Sequence, residues 1–261
     1  MPSKIWIRPA IFWPKIDRTA RPSDGLITVG MTTATSNGLC GESKPGLHVR
    51  EAMFGPFKDS LLGIDVMTSA VAKFAPRFDI DWFSRHIPLW QMILAEFAGR
   101  PMLALEIGVF EGRSTRWLME NVLSHPDSRL FYVDTFEGSP EHSGMQLNGL
   151  EPRFAKNLAE YRAKLVGYHG RSFDGLRQLP TSYFDFIHID GSHQAPDVLS
   201  DAVLSWPLLK AGGLLAFDDY EWSEFSDPRQ CPKLAVDAFL TVHHGTYDVV
   251  HKGYQVWVRK R

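Results

Sequence analysis

From Leu89 onward, short apolar runs of strand length alternate with stretches that carry apolar residues at helical spacing, and this alternation restricts the fold more than any other feature. Met102–Ile107, Leu130–Val133, Val166–His169, Phe184–Ile189 and Leu214–Phe217 read as strands. Leu89–Phe97, Ser114–Leu123, Arg153–Leu165, Val198–Leu209 and Lys233–Leu240 read as helices. Ser114 is expected to cap the second helix, and Gly212-Gly213 to stop the fourth. Such alternation predicts parallel strands joined by crossover helices that cover both sheet faces. Tyr247–His251 and Tyr254–Arg259, joined at Lys252-Gly253, break the alternation and predict a closing antiparallel hairpin. The expected class is therefore α/β, a doubly wound and mostly parallel sheet with a C-terminal antiparallel hairpin.

The first part of the chain reads differently. Residues 1–50 hold Pro2, Pro9, Pro14, Pro22 and Pro45 and the polar run Thr32-Thr33-Ala34-Thr35-Ser36-Asn37-Gly38, with no sustained period. They are expected to form an extended or poorly ordered arm. Residues 51–88 are expected to be a helical extension, and residues 89–261 the main domain. A formal net charge of −2 argues against nucleic acid as the main partner, since phosphate binding favours a basic face. No apolar run is long enough to span a membrane, and Met1-Pro2-Ser3-Lys4 opens no continuous apolar leader. Two distant cysteines, Cys40 and Cys231, form neither a disulfide framework nor a zinc site. A reducing, cytoplasmic setting is expected.

Four segments carry the chemistry. Leu105-Glu106-Ile107-Gly108-Val109-Phe110-Glu111-Gly112-Arg113-Ser114 joins the first strand to the following helix, where open α/β sheets bind ligands. It has neither the G-x-G-x-x-G of a dinucleotide fold nor the G-K-[ST] of a phosphate loop. An acid two residues before Gly108 would repel a pyrophosphate and suits a ligand with positive charge, such as S-adenosylmethionine. Asp134, ending the second strand, can accept the hydroxyls of a ribose or serve as a turn cap. Ile187-His188-Ile189-Asp190-Gly191-Ser192-His193 ends the fourth strand and Phe217-Asp218-Asp219-Tyr220 the fifth. If those ends are neighbours, Asp190, Asp218 and Asp219 crowd three carboxylates. Such a group favours a hard cation such as Mg²⁺ between its members. Individually, each could instead cap a turn, and His193 is either a general base or a polar surface residue.

In this order, E-x-G-x-x-x-G-x-S, a strand-end acid, I-D-G-x-H and G-G-x-x-x-x-D-D resemble class I S-adenosylmethionine-dependent methyltransferases. More narrowly they are similar to the macrocin-type O-methyltransferases of macrolide sugars, and in layout to catechol O-methyltransferases. The resemblance covers about residues 89–258 and includes Ala235-Val236-Asp237-Ala238-Phe239-Leu240. It implies a Rossmann-like methyltransferase fold. By the same resemblance, Glu106, Gly108, Gly112 and Ser114 lie at the methionine end of the cofactor, Asp134 at its ribose, and Ser172 and Phe173 beside its adenine. Asp190, near the cofactor too, joins Asp218 and Asp219 as metal ligands, with His193 as the base. Ala195 departs from the pattern, since relatives often carry Tyr there, and residues 1–80 resemble nothing recognisable.

The activity implied is methylation of a small-molecule or sugar hydroxyl assisted by Mg²⁺ or another hard divalent cation. The loop 137–150 and Trp222 are candidate substrate contacts. The alternatives are a metal-independent methyltransferase acting on nitrogen or oxygen, a nicotinamide oxidoreductase, and a non-catalytic cofactor-binding or accessory protein. A homo-oligomeric state is left open.

Overall fold

The computed structural model describes residues 75–139, 142, 145 and 147–261. The expected arm at 1–50 and most of the expected extension at 51–88 lie outside the described residues. Within them a seven-stranded sheet has the order β3-β2-β1-β4-β5-β7-β6. The strands are β1 (Leu103–Ile107), β2 (Arg129–Asp134), β3 (Leu165–His169), β4 (Phe184–Ile189), β5 (Leu209–Phe217), β6 (Tyr247–Lys252) and β7 (Val256–Lys260). The first five pair in parallel, and β7 pairs antiparallel with both β5 and β6. The order reverses at β1, which lies between β2 and β4, and so makes the crevice that such sheets use for ligands.

Strand residues alternate between two apolar layers, as a period of two demands. Leu105, Ile107, Val133, Ile187, Ile189, Leu215 and Phe217 face one layer with Val198 and Ala202 of α5 (Ala195–Ser205) and Val236 and Phe239 of α6 (Pro232–Val242). Ala104, Leu130, Phe186, Leu214, Ala216 and Trp257 face the other. There they meet Trp90, Ile93 and Leu94 of α1 (Ile87–Leu94) and Trp117, Leu118 and Met119 of α2 (Arg113–Asn121). Trp90 is the hub of the second layer, its ring set edge-on to Trp117, Phe186 and Trp257. Burying a side chain of that size contributes more than the roughly 1.5–3 kcal/mol of an aliphatic one. Two further helices, α3 (Leu150–Asn157) and α4 (Ser172–Leu176), follow β2 and β3. None of the described helices is long and apolar enough to cross a membrane.

Three local expectations are corrected. Ser114 is not the cap of α2: it lies buried inside the first turn, and Gly112 takes the cap position with φ of 82°. A Cβ at Gly112 would meet Leu158 at 2.4 Å, so packing against the next helix also demands glycine. Gly212 and Gly213 do not stop α5, which ends at Ser205; they lie within β5. A Cβ at Gly213 would stand 3.0 Å from the Asp185 carbonyl oxygen, close to the β4–β5 pairing irregularity at Phe184/Phe186. Finally, α4 was not expected, because five residues are too few to display a helical period.

Candidate active site

The sheet ladder continues one residue past several strand ends. The Gly108 amide donates to the Val133 carbonyl at 2.9 Å, the Asp190 amide to Ile107 at 2.8 Å, and the Asp218 amide to Ile189 at 2.9 Å. Gly108, Asp190 and Asp218 are thereby set at one rim. At Gly108 φ is 81°, and a Cβ would fall 2.0 Å from the Asp190 carbonyl oxygen. No side chain is tolerable there, so the first turn can press against the fourth.

A cleft of about 390 Å³ opens at this rim. Gly108, Asp134, Ser172, Phe173 and Asp190 border it, together with Gly191, Ser192, Asp197, Ser200 and Asp201. Asp134 holds its floor: Oδ2 accepts from the Val109 and Phe110 amides at 2.7 and 3.1 Å, and Oδ1 from Phe136 at 2.7 Å. These bonds fix the turn after β1 and draw Phe110 to φ of 47°. The Phe110 ring packs with Trp82 and His142 at the mouth. Glu137, Gly138, Ser139, His142 and Leu150 of the loop at 137–150 line the same space.

Glu106, Gly112 and Ser114 do not border the cleft. Glu106 has no exposed surface. It belongs to the strand register that faces α1 and α2, and the Thr115 hydroxyl donates to its Oε2 at 2.6 Å. The other oxygen, Oε1, lies 3.4 Å from Nδ1 of His188, also wholly buried, whose Nε2 is 3.2 Å from Asp218 Oδ2. Burial alone would lower the His188 pKa. Hydrogen bonds to Asp218 and Glu106 and the charges of Asp190 and Asp218 outweigh it and lift the value to about 10. His188 is thus an internal imidazolium beneath the acidic rim.

Above it the three expected carboxylates fall into two groups that share Asp190. Donor atoms of His188, Asp190 and Asp218, and separately of Asp190, His193 and Asp219, lie within 4.8 Å of one another. Asp190 sits well above the ordinary carboxyl range, chiefly through loss of water and then through the charges of Asp218 and Asp219. At Asp218 burial pushes upward, but the hydrogen bond and charge of His188 prevail and hold it below that range. The Gln255 amide donates to Asp218 Oδ2 at 2.9 Å. The Tyr254 hydroxyl donates to Asp219 Oδ1 at 2.7 Å, and His193 Nε2 stands 2.6 Å from Asp219 Oδ2. Trp222 stacks on the His193 ring, 4.6 Å between centroids and 13° from parallel.

Sequence reasoning missed His188, Tyr254, Gln255 and Asp201. His188 had a signal, since a period of two places it on the face of Phe186 and Asp190. Asp201 had a weaker one, an acid one helical turn after Asp197. Tyr254 and Gln255 come from the hairpin turn, and nothing in their spacing ties them to β5.

A parallel sheet with an antiparallel closing hairpin, a glycine turn after β1 and acids at the ends of β2, β4 and β5 defines the class I methyltransferase architecture. Residues 105–220 match the family described as a methyltransferase domain. A protein of Acanthamoeba polyphaga mimivirus, R132, is 26% identical over 144 residues, 54% of this chain and 63% of that protein. The chain thus aligns with less than two thirds of that relative's length. The O-methyltransferase from Bacillus cereus, solved with SAH, superposes with a TM-score of 0.50 at 19% identity, covering 70% of this chain and 83% of that one. Cofactor-bound Rv0187 from MTB superposes with a TM-score of 0.51, also at 19% identity with the same coverage. At these identities the two structures establish a shared fold.

Proposed function

We propose that the protein transfers a methyl group from S-adenosylmethionine to a hydroxyl of a small molecule, with a hard divalent cation at the acidic rim. The observation that carries this reading is the adjacency of two features: a cleft of nucleoside size, and a carboxylate cluster that shares Asp190 with it. Two neighbours in fold, the Bacillus cereus O-methyltransferase with SAH and cofactor-bound Rv0187, support the choice of cofactor.

The residues present fit both groups. Asp190, Asp218 and Asp219 offer oxygen donors, which suits Mg²⁺ rather than a soft metal. The raised Asp190 carboxyl marks a place where positive charge would be stabilising. In the cleft, Asp134 would take the ribose, Ser172 and Phe173 would flank the base, and the Gly108 turn would pass the methionine end. Bound there, the cofactor supplies an electrophilic methyl on a sulfonium, and the cation supplies Lewis acidity.

The chain's own residues do the rest. His193 accepts the acceptor's hydroxyl proton at a ring nitrogen. Asp219 fixes the imidazole through Nε2, and Trp222 holds its plane. The Tyr254 hydroxyl in turn holds Asp219. Glu106 acts at one remove, by keeping His188 charged beneath Asp218. Holding two reactants in line can supply roughly 7–11 kcal/mol of the barrier. Calorimetric titration with S-adenosylmethionine, with and without Mg²⁺, tests the proposal. Asp218→Asn is expected to retain cofactor binding and lose turnover, and full turnover in excess chelator would overturn the metal role.

One observation favours a second reading without metal. His188 already places a positive charge against Asp218, so part of the carboxylate repulsion is offset from within. The chelator experiment separates the two. A cytoplasmic setting remains part of the proposal, in keeping with the free buried thiol of Cys231.

A further inference from the structure

The acidic rim carries, outside the cofactor cleft, a cation that the mechanism does not use. Arg85 lies in a single 3₁₀ turn, Ser84–His86, and is exposed. Neither it nor its neighbours His86 and Tyr254 border the cleft. Two contacts tie it to the rim. Its Nε donates to His86 Nε2 at 2.9 Å, and its guanidinium lies over the Tyr254 ring, 4.3 Å from the centroid. The Tyr254 hydroxyl donates its one proton to Asp219 Oδ1 at 2.7 Å and accepts a hydrogen bond from Arg85. The other Asp219 oxygen is taken by His193. Arg85 thus ends a chain of contacts that begins at the proposed base.

A cation beside so many acids would ordinarily close on one of them. Asp218 and Asp219 are near enough for the adjacent His86 to feel their charge. Yet Asp218 pairs with His188 and Asp219 with His193, and Arg85 ion-pairs with neither. A guanidinium has five N–H donors in a fixed plane. Among the described residues one is spent on His86 and one on the Tyr254 hydroxyl, so the others face outward. The ring beneath and the imidazole beside it hold the group in place before any ligand arrives, which lowers the ordering cost of binding. A planar fork carrying one charge matches a carboxylate. A phosphate dianion would bring a second negative charge towards Asp219 with no further cation to meet it.

We propose that Arg85 binds a carboxylate of the acceptor, so that the molecules methylated here are hydroxy acids. The inference rests on the proposed methyl transfer, because the reacting hydroxyl must lie at His193. From the His193 ring to the Tyr254 hydroxyl the path is two hydrogen bonds and the width of one carboxylate. Arg85 stands one hydrogen bond further on. The hydroxyl and the carboxylate of the acceptor are therefore separated by about the length of a six-membered ring. Arg85 is a specificity-determining residue, and His86 and Tyr254 are positioning residues that hold its guanidinium.

The test is calorimetric binding to the full-length protein loaded with S-adenosylhomocysteine and Mg²⁺. The probes are two acids, protocatechuate and glucuronate, each beside its neutral amide of equal size. In at least one pair the wild type is expected to bind the acid about tenfold or more tightly, the gain of a charge-assisted fork. Arg85→Gln should lose that preference by weakening the acid alone, and Arg85→Lys should keep part of it, having the charge without the fork. With S-adenosylmethionine as donor, Arg85→Gln should raise KM for the acid and leave kcat nearly unaltered. A merely structural Arg85 would shift acid and amide together. An acid preference that survives in Arg85→Gln overturns the inference, as does equal wild-type binding of acid and amide, or binding of none of the four compounds. Each of these results leaves the proposed methyl transfer standing. Failure of the wild type to bind S-adenosylhomocysteine overturns that reading, and this inference with it.

Discussion

His188 and Glu106 are register partners on adjacent parallel strands, and their side chains meet 3.4 Å apart with neither exposed to solvent. A buried ion pair is expensive to form and more expensive to break, because the remaining charge is left without water or partner. Here the imidazolium serves two carboxylates, Glu106 and Asp218. Replacing His188 with Gln is therefore expected to lower the unfolding free energy by about 3–5 kcal/mol, measured by chemical denaturation. A loss under about 1 kcal/mol would mean that the pair is neutral in the folded protein.

Asp190 bears the opposite stress. Its carboxyl is raised by burial and by Asp218 and Asp219, so without a cation its charge opposes folding. Asp190→Asn should raise the melting temperature of the metal-free protein. It should also abolish the stabilisation that Mg²⁺ confers on the wild type, which is about 2.7 kcal/mol at a hundredfold excess over Kd. Thermal unfolding with Mg²⁺ and with chelator checks both. Equal Mg²⁺ stabilisation of variant and wild type would remove Asp190 from the ligand set.

Much of this was legible in the residues and some was not, for physical reasons. The central parallel strands could be read because burial leaves them mostly apolar, as in Phe184–Ile189, where only Asp185 and His188 interrupt the run. The acids at 190, 218 and 219 could be placed because strand ends in this topology share a rim. Glu106 was assigned to the cofactor, yet its side chain lies on the opposite strand register. The motif gives its distance from Gly108 along the chain but not the face on which a strand will turn it. The Tyr254 and Gln255 contacts depend on how the hairpin folds back on β5, a long-range pairing with no local signal. Asp201 carried only a weak signal for a related reason: an acid on an amphipathic helix is usually solvated, and only the packing of α4 against α5 buries it.

The turn at Gly108 permits a sharp mutational test. A methyl group there would meet the Asp190 backbone at 2.0 Å, in a conformation that L-residues rarely adopt. Gly108→Ala is expected to cost about 2–4 kcal/mol of stability and to weaken S-adenosylhomocysteine binding at least about tenfold. Gly212, with φ of 78° and open space around it, is the control. Gly212→Ala should cost only the backbone strain, about 1–2 kcal/mol, and leave binding unchanged.

For His193 the expectation concerns rate. His193→Gln keeps a polar side chain of similar reach but offers no titratable nitrogen. kcat should fall about 10²–10⁴-fold, with cofactor affinity unaltered. Trp222→Leu removes only the stacked ring, so a smaller loss is expected, with the metal-induced stabilisation retained. If His193→Gln turns over at the wild-type rate, the proton leaves by another route.

The pH dependence of folding isolates Asp201. Its folded-state pKa, raised from 3.8 to about 7, means that the native state favours the protonated carboxyl. A raised acid contributes stability fully below its unfolded pKa, and that contribution is lost as pH rises through the folded value. Wild-type stability should therefore decline across pH 4 to 7 from this group. Asp201→Asn mimics the protonated form at every pH. The variant's stability relative to wild type is expected to rise by on the order of 1–3 kcal/mol between pH 4 and pH 8, read from denaturant midpoints at each pH. Taking the difference between the two proteins cancels the other titrating groups, Asp190 and His188 included, as long as they lie beyond contact with Asp201. A difference that stays level across that range would mean that the carboxylate is solvated or paired in the folded protein.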